Sequence, residues 1–87
     1  MRIVMAEIDL YKDSVEPIYQ QLARHFRMAI ESGHLLPGDR LPPTRDLARQ
    51  LGVGRISVVN AYSQLQAEGL IAAHPGRGTY VTGARGS

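Results

Sequence analysis

Apolar residues recur at helical spacing in three stretches of the chain. The first stretch runs from Pro17 to Ser32, where an apolar residue returns every four positions and forms one stripe along a helix. Pro17 suits a first helical turn, because its missing N–H would have no partner there, and Gly33 suits a helix end. We therefore expect a core helix over residues 17–32. Its buried stripe consists of Ile18, Leu22, Phe26 and Ile30.

The other two helical stretches lie on either side of the turn Gly52-Val53-Gly54. Thr44 is the expected N-cap of a short helix that ends near Leu51, and Arg55 begins a longer one that ends near Glu68. A turn this short prevents the two helices from lying antiparallel, so we expect them to cross steeply as a helix-turn-helix. The buried faces are expected to be Leu47, Ala48 and Leu51 in the first helix and Val58, Ala61, Tyr62 and Leu65 in the second.

Strand signals precede and follow this helix pair. The connector over residues 34–43 contains Pro37-Gly38, typical of a type II turn, and then Arg40-Leu41, which favours a very short strand. Residues 70–73 and 79–82 flank the turn sequence HPGRG and predict a β-hairpin. A hairpin directly after a helix-turn-helix is a wing.

The predicted fold is therefore a winged helix-turn-helix over residues 17–82, mainly α with a small β-hairpin, with three helices plus the wing. Residues 1–16 are expected to be an N-terminal arm and lead-in, since their apolar positions keep no steady period. Residues 83–87 are small and polar, and we expect a flexible tail. A chain of 87 residues forms one domain with little room for an active-site cleft.

Composition narrows the class of protein further. Cysteine is absent, which excludes disulfides and thiolate metal sites. No apolar run approaches the roughly 20 residues of a membrane span, and no signal-peptide pattern opens the chain, so we expect a cytoplasmic protein that does not enter a membrane. The net charge is only +2, but the basic excess lies after residue 36, and all but one of the ten basic residues are arginines. Arginine suits two-pronged contacts with phosphate or guanine.

The candidate binding residues lie at the start of the second helix of the pair and near it. Five residues would be free of the core, and several have side chains that can reach phosphates and base edges in a major groove. They are Arg55, Ile56, Ser57, Val59 and Asn60. Arg49 either contacts phosphate or pairs with Asp46 at the i, i+3 spacing. An arginine in a glycine-flanked turn is attracted to a narrow minor groove. The candidates are Thr44, Arg45, Arg49, Arg55, Ile56, Ser57, Asn60, Gly76 and Arg77.

No pattern indicates an enzyme. HPGRG lacks the GK[ST] of a phosphate-binding P-loop, and the three histidines have no metal-ligand spacing. Ser57 and Ser63 have no histidine and aspartate placed beside them by the sequence. We expect no catalytic residue, no metal and no cofactor in this chain. The alternative to DNA binding is a winged-helix protein–protein interaction module.

Three ordered runs resemble the N-terminal winged-helix domain of the GntR family of bacterial transcription regulators. They are PGDRLPPTRDLARQLGVGR, SVVNAYSQLQAEGLI and GRGTYV. PPTRDLA, VVNAYSQL and GTYV are most similar to the MocR subfamily, whose members resemble fusions with an aminotransferase-like domain that binds pyridoxal phosphate. The YtrA-like subfamily, which adds a short helical dimerisation tail, is the second candidate. The resemblance implies double-stranded operator DNA as partner and a homodimer in a longer protein, of which this chain would be a truncated piece.

The resemblance also implies roles for single residues. Arg45 matches an arginine that contacts phosphate, Arg55 one that reads a guanine-type edge, and Ser57 a residue that bonds the DNA backbone. Gly76, with Arg77 beside it, matches a wing tip that enters the minor groove.

The chain departs from the family pattern at three places. Gly54 stands where Ser or Thr commonly caps the helix and touches phosphate, Ile56 replaces a commonly polar residue, and Val59 replaces an arginine of some members. Base reading would then use fewer polar contacts, with Ile56 placed to meet a thymine methyl group.

Overall fold

A computed structural model describes residue 10 and residues 14–82. Most of the expected N-terminal arm and all of the expected tail over residues 83–87 lie outside the described residues. Every predicted helix and strand is present, and each begins and ends within one residue of its expected bounds. The elements are α1 (Ile18–Glu31), β1 (Arg40–Leu41), α2 (Thr44–Leu51), α3 (Arg55–Ala67), β2 (Ile71–His74) and β3 (Gly78–Val81).

The core lies between α3 and its neighbours α1 and α2. The predicted stripes are buried, with Ile18 and Leu51 half-buried at their ends. Phe26 of α1 meets Tyr62 of α3 edge to face, with ring centroids 6.0 Å apart. The Tyr62 hydroxyl donates a 2.6 Å hydrogen bond to the carbonyl of Pro42, which ties α3 to the chain just before α2. Burial raises the pKa of the Tyr62 phenol well above its ordinary value.

An ion pair joins α1 to the carboxyl end of α3. The Arg27 guanidinium donates two hydrogen bonds of 2.8 Å to the Glu68 carboxylate, and the two side chains are only 23% and 24% exposed. These hydrogen bonds raise the pKa of Arg27. Glu68 is the C-cap of α3, so the pair holds the carboxyl end of that helix against α1.

In the part of the chain that the structure describes, the sheet has three antiparallel strands in the order β1-β3-β2. The connector strand therefore pairs with the last strand of the wing. The Gly38 N–H donates to the Val81 carbonyl, and the Val81 N–H donates to the Asp39 carbonyl, each over 2.8 Å. The turn before β1 has the predicted type II form, since Gly38 has a φ of +93° and the Asp39 N–H donates to the Leu36 carbonyl.

The expected N-cap of α2 is wrong by one residue. Pro43 is the N-cap, and Thr44 is the first helical residue. Pro43 has φ −58° and ψ 148°, an extended conformation that still lets its carbonyl accept the Leu47 N–H over 2.9 Å. The proline thus starts the helix by its backbone alone, and no side chain caps it. Gly52 ends α2 in the left-handed region, with a φ of +69°.

Candidate nucleic-acid interface

The first turns of α3 present a free surface beside a buried one. Val58 is fully buried, and the residues on the opposite side of the helix reach solvent. Ile56 is 68% exposed. Arg55 and Asn60 are exposed, while Ser57 and Val59 are half-buried. The fold therefore brings the predicted reading residues of α3 together at its amino end.

Two arginines of α2 have different surroundings. Arg45 is exposed and takes part in no ion pair within the described part of the chain. Arg49 donates a 2.8 Å hydrogen bond to Asp46, so the ion-pair alternative for this residue is the one present. Its side chain remains 74% exposed, and a phosphate contact by Arg49 stays a prediction. Thr44 is half-buried at the start of the same helix.

The wing ends in a tight turn over residues 74–77. The Arg77 N–H donates to the His74 carbonyl over 2.9 Å, and Gly76 has a φ of +78°, which a type II turn requires at its third position. The Tyr80 hydroxyl donates to the Arg77 carbonyl over 3.1 Å and braces the turn from β3. The Arg77 side chain is exposed at this tip.

Some of the described arginines have carboxylate partners and others have none. Within the described residues, carboxylates pair with Arg24, Arg27 and Arg49. The arginines of the same ranges that have no carboxylate partner lie on the helix pair, on β1 and in the wing turn. They are Arg40, Arg45, Arg55 and Arg77.

Arg40 is not among the candidates that the sequence predicts. Its place in a two-residue strand carries no local signal of a role in binding. Its exposure follows from strand alternation, because Leu41 beside it is buried.

The described residues offer little for other chemistry. None of their His, Asp and Glu side chains gather in groups of three or more that could hold a metal ion. None of the helices within these ranges has the length and apolar character needed to cross a membrane.

Comparison with known proteins identifies the family. A family model described as bacterial regulatory proteins, gntR family, matches residues 18–81. The chain belongs to the GntR family. A MocR regulatory protein of Rhizobium meliloti is 43% identical over 72 residues, which are 83% of this chain and 15% of MocR. The transcriptional repressor YtrA of Bacillus subtilis is 38% identical over 69 residues, which are 79% of this chain and 53% of that protein.

Solved structures agree in fold. YtrA from Sulfolobus acidocaldarius, a GntR-family transcription factor, superposes with a TM-score of 0.79 at 38% identity, over 90% of this chain and 81% of that one. The DNA-binding domain of AraR in complex with operator ORX1 superposes with a TM-score of 0.71 at 29% identity, over 84% and 87% of the two chains. The predicted family, the winged helix-turn-helix fold and the DNA-binding function of the GntR domain are confirmed.

Proposed function

We propose that this GntR domain reads base sequence in double-stranded DNA with the amino end of α3, as the DNA-reading module of a transcription regulator. The observation that carries the proposal is the exposed Arg55 beside Ile56 and Asn60, at the start of a helix whose other face is buried. Among the described residues, Arg55 has no ion-pair partner. Arg55 is placed to form a two-pronged contact with a guanine edge, and Asn60 can reach a neighbouring base. A binding role is proposed in place of catalysis.

The other candidate residues are proposed to hold the backbone. Arg45 and Thr44 at the start of α2, together with Ser57, contact phosphates on the strand that borders the major groove. Arg49 adds to this contact from its exposed pair with Asp46. Gly76 and Arg77 at the wing tip enter the neighbouring minor groove, where a narrow groove attracts arginine.

We further propose that two copies act together in a longer protein. One module of this size buries too little surface for strong specificity, and symmetric operators commonly bind dimers. The chain spans only 15% of MocR, so dimerisation and effector binding would belong to other parts of such a protein. With genomic DNA as its partner, the protein would act in the cytoplasm.

Pyridoxal phosphate, which a MocR-like protein would bind, does not fit the described residues. The coenzyme needs a lysine for its imine, and the chain's single lysine, Lys12, lies outside them. We propose that any such coenzyme binds in a separate domain.

The test begins with selection of preferred duplexes from a randomised DNA library, followed by fluorescence anisotropy with the 87-residue chain. Arg55→Ala is expected to weaken binding by about 1–3 kcal/mol and to relax preference at one base pair. Arg45→Ala is expected to weaken all duplexes by a similar factor, since phosphates carry no sequence.

Arg24→Ala is the matched control, because it removes one exposed charge from α1, where Arg24 pairs with Glu16. Unchanged affinity in both the Arg55 and Arg45 variants would defeat the assignment. Binding that does not depend on salt would favour a protein partner in place of DNA.

A further inference from the structure

The outer face of the wing sheet gathers a second set of polar and aromatic side chains. Antiparallel pairing places Arg40 opposite Tyr80, and Tyr80 opposite Ala72. Two positions further towards the wing tip, and so on the same face, His74 is paired with Gly78. Leu41 is 2% exposed on the core side, so Arg40 lies on the solvent side with these residues. The His74 and Tyr80 rings are in contact, with centroids 5.8 Å apart.

The Arg40 guanidinium reaches diagonally along this face towards the wing tip. A Cβ atom built on Gly78 would lie 2.8 Å from Nε and 3.1 Å from Nη2 of Arg40. The guanidinium therefore occupies the space that any other side chain at position 78 would need. Gly78 directly follows Arg77, so two arginines from separate parts of the chain lie at one end of the sheet.

Within the described residues, Arg40 and Arg77 take part in no ion pair. The nearest acid in sequence, Asp39, is engaged elsewhere, because its Oδ2 accepts the Leu36 N–H over 2.9 Å. The planar guanidinium of an exposed arginine such as Arg40 can donate two parallel hydrogen bonds to the oxygens of one phosphate.

We propose that Arg40 is a further DNA contact of this domain, which binds a backbone phosphate beside the groove that the wing tip enters. This inference rests on the proposed function of the wing. A tip inside a minor groove is bordered by phosphates on both sides, and Arg40 extends the wing's positive surface from the turn onto β1. The contact supplies position and affinity without base preference.

The test uses Arg40→Ala in the 87-residue chain, with Arg24→Ala as a control of equal charge change. Binding is measured by anisotropy over a salt series, on the selected duplex and on a scrambled duplex. Arg40→Ala is expected to weaken both duplexes by the same factor, about fivefold. It is also expected to reduce the slope of log K against log salt by about 1. Arg40→Lys, which keeps the charge, is expected to retain most of the slope.

The outcomes separate this inference from the proposed function. In one outcome, Arg55→Ala weakens binding while Arg40→Ala matches Arg24→Ala in affinity and in the slope of log K against log salt. That result refutes the Arg40 contact and leaves the proposed base reading by α3 intact. A loss confined to the selected duplex would also overturn it, because a phosphate contact cannot discriminate sequence. If the unmodified chain binds neither duplex, the proposed function itself fails.

Discussion

At the scale of single residues, Ile56 is the large apolar side chain of α3 that stays outside the core. It lies at the start of the helix, 68% exposed, where an apolar group gains nothing from water. A thymine C5-methyl group is the apolar feature that a major groove offers. Replacing the contacted thymine by uracil removes that methyl, and we expect a loss of about 0.8 kcal/mol, or roughly fourfold in affinity.

The control for this prediction is the same uracil duplex with two variants. Ile56→Ala is expected to bind the thymine and uracil duplexes equally, whereas Arg55→Ala keeps the discrimination. Anisotropy titrations measure both. If uracil at every thymine position of the selected duplex leaves the affinity of the unmodified chain unchanged, Ile56 is not one of the residues that read bases.

The buried Tyr62 is expected to make the free energy of unfolding depend on pH in the alkaline range. Its phenol is buried, and its pKa is raised, so the folded chain keeps the proton longer than the unfolded chain. The stabilisation is complete below the unfolded pKa of about 10 and is lost as pH rises above it, by up to about 1.4 kcal/mol per pH unit. Tyr62→Phe removes this loss, although it lowers stability near neutral pH by about 1 kcal/mol, since the Pro42 carbonyl loses its donor.

Urea unfolding at about pH 8 and about pH 11 measures the difference. Tyr80→Phe is the control, because Tyr80 is only half-buried and its hydroxyl bonds to the wing turn. Equal pH sensitivity in the unmodified chain and Tyr62→Phe would contradict the account.

At the scale of elements, the two ends of α3 are held differently. Its carboxyl end is fixed by Arg27 and Glu68, whereas its amino end begins at Gly54, with no side-chain cap. Gly54 has φ −66° and ψ 142°, and a Cβ there would meet nothing within 4 Å. Gly54→Ser is therefore expected to raise the free energy of unfolding by a few tenths of a kcal/mol through a capping hydrogen bond.

Gly52→Ser is the matched control in the same turn. Its φ of +69° disfavours a side chain, and we expect a loss of about 1 kcal/mol. Thermal or urea unfolding distinguishes the two. Destabilisation by Gly54→Ser equal to that of Gly52→Ser would show that the amino end of α3 is constrained in another way.

The elements also show which features local sequence could predict. The helices and the hairpin follow from apolar spacing and turn residues, and the Arg49–Asp46 pair follows from i, i+3 spacing on one helix. The start of α2 was misplaced because Pro43 caps it through its backbone, which residue preferences for side-chain caps do not register. The pairing of β1 with β3, the Arg27–Glu68 pair and the approach of Arg40 to Gly78 join distant parts of the chain, so no local pattern reports them.

At the scale of the whole molecule, the small domain is expected to depend on a second copy for tight binding. Fusing the chain to a dimeric coiled coil should raise affinity for a duplex with two suitably spaced half-sites by roughly a hundredfold or more, through effective concentration. A duplex with one half-site scrambled is the control and should show little gain. If both duplexes bind the fused and unfused chains alike, the domain acts singly.

The order of the sheet has a consequence for biosynthesis. Within residues 14–82, the central strand β3 comes after both outer strands, and each outer strand bonds to β3. On a ribosome, all three helices leave the exit tunnel before either outer strand can find its neighbour. A message truncated before the codon for Gly78 would therefore encode α1, α2 and α3 and still leave β1 and β2 without a strand to pair with.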